Sequence, residues 1–100
     1  MMLEKALLGT WRTDPTDARS LADYGDVSMH FDETGALTYT VHGDGVVQIL
    51  NLTYRVDGTT MITNQPSKPR EERTKLAFTA DGRLLFWNAD ETDAAYFVRQ

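Results

Sequence analysis

Two histidines are the side chains of this sequence best suited to proton transfer near neutral pH. In a hairpin formed by residues 26–42, His42 would face Asp26 and His30 would face Thr38. A cross-strand His–Asp pair could serve as a general base, although on an outer sheet wall such a pair is more often a surface contact. Two histidines without a third ligand at a fixed spacing do not form a zinc site. The histidines therefore predict no catalytic residue, no metal and no cofactor.

Charged residues cluster in two further segments. Asp90, Glu91 and Asp93 lack the alternating ligands and closing glutamate of a calcium loop, so a solvated loop is expected. Residues 66–75 carry four of the ten basic residues, but interleaved glutamates reduce the local net charge to +2. This segment could act as a lid or dock an anionic group, and a hydrated hairpin loop is the simpler interpretation. The sequence has no nucleophile elbow, phosphate loop or Cys–His pair.

Length and composition restrict the function classes further. At 100 residues the chain is expected to form one domain, residues 1–100. The net charge of −5 argues against nucleic acid as a partner, because phosphate binding depends on clustered Lys and Arg. The absence of cysteine excludes disulfides and thiolate chemistry. No secretory signal and no stretch able to cross a bilayer is recognised, so a cytoplasmic protein with no membrane partner is expected.

The elements that would position these residues begin with a clear hairpin. Residues 26–42 alternate between apolar and polar, as half-buried strands do. A three-residue loop at 33–35 keeps apolar residues opposite each other, whereas a shift of one residue would place each opposite a polar partner. The loop would use Gly35 in a left-handed conformation. The pairs in this register are Phe31–Leu37, Met29–Tyr39 and Val27–Val41.

Two more hairpins follow from their turn residues. The turn pattern of residues 31–37 returns at residues 78–84, again with phenylalanine opposite leucine. Asp57-Gly58 is the strongest short hairpin signal in the chain and predicts a two-residue turn. The expected pairs are Phe78–Leu84, Leu76–Phe86, Val56–Thr59 and Tyr54–Met61.

Helix signals occur near the N-terminus. A turn of helix is expected before the first strand, Leu7–Thr13, and a second helix after it. Asp14 suits the N-cap of that helix, Pro15 its first position and Gly25 its end. The chain then offers eight strands, nearly all joined by tight turns. This predicts an all-β, eight-stranded antiparallel up-and-down barrel with one short helix after the first strand, and an open sandwich is the alternative.

The first and last strands carry a recognisable motif. Gly9 and Trp11 lie on the same side of the first strand, and Arg99 lies at the end of the last. With the short helix and meander between them, the chain resembles the lipocalin and streptavidin-like (calycin) barrels, most closely the small bacterial lipocalin-like domains. The resemblance implies that Trp11 closes one end of the barrel, that Gly9 leaves room for a close crossing and that Arg99 stacks on the indole.

An eight-stranded barrel has an interior that is either filled or able to hold one small ligand. Tyrosines on the inner face favour a cavity, because buried hydroxyls need partners. We therefore expect a non-enzymatic domain that binds a small apolar or amphipathic molecule. A filled-core interaction domain is the alternative, and an enzyme using the cavity is a weaker one. The expected ligand-binding residues are Met29, Tyr39, Leu52, Tyr54, Met61 and Phe86, and Tyr96 and Val98 are expected to face inward on the last strand.

The outer wall is less polar than the surface of a solvated barrel. Val47 and Ile49 are expected on it, together with Trp87 and Phe97. Exposed apolar clusters usually mark contacts, so either the N-terminal helix covers part of this face or two barrels pack together. The favoured interpretation is a homodimer with Val47, Ile49 and Trp87 as anchors.

Overall fold

Eight antiparallel strands close into a barrel in the computed structural model, which describes residues 3–43, 45–67, 69–87 and 93–100. Each strand pairs with the next along the chain, and the last pairs with the first. The expected all-β up-and-down barrel is therefore confirmed. The elements in order are α1 (Leu3–Leu7), β1 (Gly9–Thr13), α2 (Ala18–Tyr24), β2 (Val27–Phe31), β3 (Ala36–His42), β4 (Val47–Asp57), β5 (Thr60–Asn64), β6 (Glu72–Phe78), β7 (Leu84–Trp87) and β8 (Ala94–Arg99).

The β2–β3 hairpin has the register expected from its apolar alternation, with Phe31 opposite Leu37. Gly35 adopts a positive φ of 90° in the connection, a conformation that glycine accepts without strain. The carboxylate of Asp32 accepts hydrogen bonds from the backbone N–H groups of Thr34 and Ala36, each at 2.9 Å. Side-chain capping and left-handed glycine together fix this turn, and the turn fixes which residues face the barrel interior.

The β6–β7 hairpin repeats this arrangement. Phe78 pairs with Leu84, as expected, and Gly82 has a φ of 89°. Here a threonine replaces the aspartate as the capping residue, since the Thr79 hydroxyl accepts a 2.9 Å hydrogen bond from the N–H of Arg83.

The β4–β5 turn lies one residue further along the chain than expected. Val56 pairs with Met61 and Tyr54 pairs with Thr63, so the expected pairs Val56–Thr59 and Tyr54–Met61 are both wrong. The turn residues are Gly58, with a φ of 63°, and Thr59. A turn centred on Asp57-Gly58 would have required a left-handed backbone at the aspartate as well. Because the register slips by two residues, Val56 and Met61 still share one face.

The last strand has the opposite orientation from the expected one. Phe97 is completely buried in the barrel core, and Tyr96 faces outward, where a guanidinium lies 4.5 Å from its ring. The expectation that Tyr96 and Val98 face inward is therefore wrong. The reason lies in the pairing of Arg99 with Trp11: if Arg99 shares the face of the inward-pointing indole, the residue two positions earlier must also point inward.

Helix α2 begins at Ala18 with Asp17 at its N-cap, three residues later than an N-cap at Asp14 would give. Asp14 is buried, and its carboxylate accepts hydrogen bonds from the Thr16 backbone N–H at 2.9 Å and the Thr16 hydroxyl at 2.7 Å. Arg83 completes an ion pair with it at 3.2 Å. Asp14 therefore stabilises the turn before the helix. Gly25 ends the helix, as expected.

Helix α1 includes Leu7, so β1 begins at Gly9 and not at Leu7 as expected. Leu7 is fully buried at the end of the barrel that α1 covers. In the part of the chain that the structure describes, no helix has the length and apolar character needed to span a bilayer.

Candidate functional site

The barrel interior contains a cavity of about 310 Å³. It extends from the middle of the barrel to the end where β5 stops and β6 starts, which we call the open end. The C-terminal end of α2 lies at the same opening. The cavity is lined by Tyr24, Met29, Leu37, Tyr39, Leu50, Leu52, Met61, Thr63, Asn64, Gln65, Arg70, Glu72, Thr74 and Phe86.

Five of the six expected ligand-binding residues line this cavity, and Tyr54 is the exception. The Tyr54 hydroxyl donates a 2.6 Å hydrogen bond to the carbonyl of Asp32, at the turn between β2 and β3. Its ring meets the ring of Phe31 edge-on, with 4.9 Å between centroids. Tyr54 therefore belongs to the packed part of the core and not to the cavity wall. The expected residues that do line the cavity are Met29, Tyr39, Leu52, Met61 and Phe86.

The cavity has one polar wall that the apolar pattern did not reveal. Met61 is opposite Thr74, and Thr63 is opposite Glu72, in the register of β5 and β6. Since paired residues share a face, Thr63, Thr74 and Glu72 all face the interior above Met61. The remaining walls carry mainly apolar side chains such as Leu37. The signal that could have found the polar wall is the period-two spacing from the inward Met61 and Leu76, irrespective of residue type.

Two tyrosine hydroxyls belong to this interior. Burial raises the pKa of Tyr39, and the nearby Tyr24 raises it further. Burial also raises the pKa of Tyr24, with additional contributions from the carboxylates of Asp23 and Glu72. Within the described residues neither hydroxyl has a hydrogen-bond partner, and neither is sealed away from the cavity or solvent. Both hydroxyls can therefore donate to a molecule in the cavity.

The rim of the open end carries both signs of charge. Arg70 Nε lies 3.4 Å from Glu72 Oε1, and both side chains are largely exposed. The backbone N–H of Arg70 donates a 2.9 Å hydrogen bond to the Asn64 side-chain oxygen, which ties the segment before β6 to the end of β5. The rim is thus held by backbone contacts, while the charged groups themselves remain accessible.

Helix α2 covers part of the opening through Tyr24. The Tyr24 ring meets Phe97 edge-on at 5.3 Å and lies 6.5 Å from Phe86. The other end of the helix is anchored by Ser20, which is fully buried. The Ser20 hydroxyl accepts a 2.8 Å hydrogen bond from the backbone N–H of Tyr96. This places one tyrosine from the helix and one from β3 at the same cavity.

The opposite end, which we call the closed end, is shut by the residues expected from the motif. The Arg99 guanidinium lies 4.3 Å from the centre of the Trp11 ring system. It donates hydrogen bonds of 2.7 Å to the carbonyls of Leu8 and Ala6. A Cβ atom on Gly9 would come within 2.8 Å of this guanidinium, so a larger residue there would require the guanidinium to move from its stacked position.

Other candidates for chemistry are engaged elsewhere. His42 Nε2 lies 2.9 Å from the Ser28 hydroxyl, and His30 Nδ1 lies 2.8 Å from that of Thr10. Asp26, the expected partner of His42, instead accepts two hydrogen bonds from Arg12 at 2.7 and 2.8 Å. Among the residues described, no group of three His, Cys, Asp or Glu side chains could hold a metal ion.

Part of the expected charged segments lies outside the described residues. Asp90 and Glu91 of the expected acidic loop fall there, as does Lys68 of the basic segment. Asp93 is described and pairs with Arg19 of α2.

The expected dimer anchors do not form one patch. Val47 and Ile49 face outward on β4 and are 59% and 58% exposed, next to Val46 at 66%. Trp87 is half-buried and lies on β7, three strands further around the barrel. An apolar surface is therefore present on β4, and Trp87 is not part of it.

Comparisons with protein families, curated proteins and solved structures found no match to this chain. The geometry of the barrel is therefore the basis for a functional conclusion.

Proposed function

We propose that this domain binds one small amphipathic molecule inside the barrel and does not transform it. The observation that carries the proposal is the cavity of about 310 Å³, which lies at the lower end of the roughly 300–1,000 Å³ range of small-molecule sites. Its apolar floor and single polar wall match such sites, where a few polar groups orient a mainly apolar ligand. The hydroxyls of Tyr39 and Tyr24, which have no hydrogen-bond partner among the described residues, support the proposal.

The Trp11–Arg99 closure supports a lipocalin-like (calycin) relationship, since the resemblance implies this contact and its geometry is present. We therefore also propose that the chain is a small bacterial lipocalin-like domain and that it acts in the cytoplasm. The same resemblance assigns Gly9, Trp11 and Arg99 to structure, so a ligand would contact the other end of the barrel.

Binding is tested by titrating the protein with 1-octanol, a neutral amphipathic probe, and measuring the NMR chemical shifts of the backbone amides. We expect saturable shifts at Met29 and Thr74. Replacing the inward Thr74 by phenylalanine (Thr74→Phe) should weaken binding by roughly tenfold or more, because the ring fills space the ligand needs. The matched control is Thr38→Phe on the outward face of β3, which should bind normally. Native mass spectrometry of freshly purified protein would report any retained ligand.

Equal octanol binding by the two variants would contradict a site inside the barrel. An absence of both octanol binding and a retained ligand would contradict the proposed function altogether.

A second role is favoured by the exposed side chains on β4. We propose that Val47 and Ile49 form a self-association surface, because together with Val46 they place three large, more than half-exposed apolar side chains at the start of β4, and exposed apolar clusters usually mark contacts. Sedimentation of Val47→Asp and Ile49→Asp should then show a lower mass than the wild type. Asn51→Asp introduces the same charge on the outward face of β4 and should leave the mass unchanged. An unchanged mass in the first two variants would contradict the homodimer.

A further inference from the structure

A carboxylate stands at the mouth of the cavity, on its inner side. Glu72 is the first residue of β6 and pairs with Thr63, two positions along from the Met61–Thr74 pair. All four of these residues line the cavity. The polar wall therefore ends in a negative charge at the mouth of the cavity, where the head group of a bound ligand would lie.

The cation that faces this carboxylate holds it weakly. Arg70 approaches Glu72 with a single nitrogen at 3.4 Å, and the side chains are 80% and 60% exposed. Exposed pairs of this kind contribute little to stability. Because the position of Arg70 is fixed through its backbone N–H to Asn64, its side chain can move aside without disturbing the rim. A bound cation could replace it at the carboxylate.

Aromatic faces complete the surroundings of this carboxylate. Tyr24 from α2 and Tyr39 from β3 line the same cavity, with Phe86 beneath them. Aromatic rings attract cations through their negative faces. Burial is the main cause of the raised pKa of Tyr24, and the negative charges of the Asp23 and Glu72 carboxylates raise it further. The open end therefore places the Glu72 carboxylate and two aromatic rings above an apolar floor.

From this arrangement we propose that the ligand of the cavity is a hydrophobic amine. Its ammonium group lies at Glu72 against the rings of Tyr24 and Tyr39, and its apolar part occupies the floor between Leu37, Leu52 and Phe86. This rests on the proposed binding function and specifies the class of ligand. An anionic amphiphile is disfavoured because its head group would lie against the inward carboxylate of Glu72, whereas the Arg70 side chain is 80% exposed on the rim.

The test compares three probes that share one chain and differ in head group: octylammonium, 1-octanol and octanoate. Octylammonium should bind the wild type more tightly than octanol by roughly five- to tenfold at low salt, as expected for one part-exposed ion pair with cation–π contacts. Octanoate should bind most weakly. Added salt should reduce the preference for the ammonium, since exposed charges are screened.

Two matched variants test whether the preference for octylammonium over octanol depends on Glu72. Glu72→Gln should remove the advantage of octylammonium over octanol, measured as the ratio of the two affinities for that variant. Glu71→Gln alters the adjacent carboxylate, which pairs with Arg73 at 2.8 Å and does not line the cavity, so the preference should persist.

The outcomes separate the two proposals. Octanol binding that depends on Thr74, with no preference for octylammonium or with a preference for octanoate, would overturn the amine assignment and leave the binding function standing. A preference that survives Glu72→Gln would also overturn it. Failure of all three probes to bind would overturn both.

Discussion

The closed and open ends of the barrel use similar side chains but satisfy their polar groups differently. At the closed end the Trp11 indole donates a 2.9 Å hydrogen bond to the Leu7 carbonyl, and Arg99 donates to two further carbonyls while stacking on the indole. At the open end Tyr39 has no hydrogen-bond partner among the described residues, and Arg70 approaches the Glu72 carboxylate only to 3.4 Å. At the closed end these polar groups are hydrogen-bonded within the protein, whereas at the open end polar groups face the cavity.

This contrast separates stability from binding along the barrel axis. Buried polar groups that are paired contribute to stability, whereas partly exposed ones without a protein partner contribute little and remain available to a ligand. Substitutions at the closed end should therefore lower the free energy of unfolding with little effect on the affinity of the cavity. Substitutions at the open end should weaken ligand binding with little effect on the free energy of unfolding.

The largest effect is expected from Trp11→Ala. Trp11 is 1% exposed and its ring lies 5.9 Å from that of Phe78, so truncation leaves a large void and should lower the free energy of unfolding by about 3–5 kcal/mol. Urea denaturation measures this directly. Trp87→Ala removes a half-buried tryptophan from the outer wall and should cost clearly less. Near-wild-type stability of Trp11→Ala would contradict its role in closing the barrel.

Gly9→Ala should have the next largest effect, about 1–3 kcal/mol. The added methyl group would meet the Arg99 guanidinium at 2.8 Å, in a backbone conformation with a φ of 110°. Gly82→Ala is the matched control, because Gly82 has a φ of 89° but open space around its Cβ position.

A double-mutant cycle isolates the close crossing from backbone strain. In an Arg99→Ala background the guanidinium is gone, so Gly9→Ala should cost no more than Gly82→Ala. An unchanged cost of Gly9→Ala in that background would show that the contact with Arg99 is not what requires glycine.

Acid should loosen the segment that joins β1 to α2. Hydrogen bonds from Thr16, followed by Arg83, lower the pKa of Asp14 in the folded state. The unfolded state, with an ordinary pKa of about 3.9, therefore takes up its proton first as the pH falls. The stabilisation from Asp14 is fully present above that value and is lost as the pH drops through the folded pKa.

The measurement is hydrogen exchange of the α2 and β1 amides between pH 5 and pH 3, with global stability followed in parallel. Asp14→Asn should flatten the acid-dependent loss of stability. Asp23→Asn, at an exposed position on α2, is the matched control and should leave the slope nearly unchanged. Equal slopes in wild type and Asp14→Asn would contradict the anchoring role of Asp14.

Much of the fold could be predicted from the sequence, because alternation and turn residues agree in most hairpins. The register at Phe31–Leu37 followed from both signals and is confirmed. The last strand was different, since Tyr96, Phe97 and Val98 are all apolar and alternation cannot tell which face is buried. The long-range contact between Arg99 and Trp11 decides it. Applying that contact to β8 would have placed Phe97 inside.

The candidate site was harder to predict than the fold. An apolar pattern identifies residues such as Met29 and Phe86 on the inner face, and both line the cavity. The same pattern overlooks Thr63, Thr74 and Glu72, because polar residues on an inner face look like strand ends or outer positions. Their location depends on where the barrel stops being filled, which is a property of three-dimensional packing.

The smallest expected effect gives the sharpest comparison, because it uses one substitution at both ends. Tyr54→Phe removes a hydroxyl that donates to the Asp32 carbonyl at 2.6 Å and should lower the free energy of unfolding by about 1 kcal/mol. Tyr39→Phe removes a hydroxyl without a partner in the described residues and should change it by less than about 0.5 kcal/mol. In octanol titrations the order should reverse, with only Tyr39→Phe weakening binding. If both variants lost similar stability and bound octanol equally, the distinction between a complete closed end and an unsatisfied open end would fail.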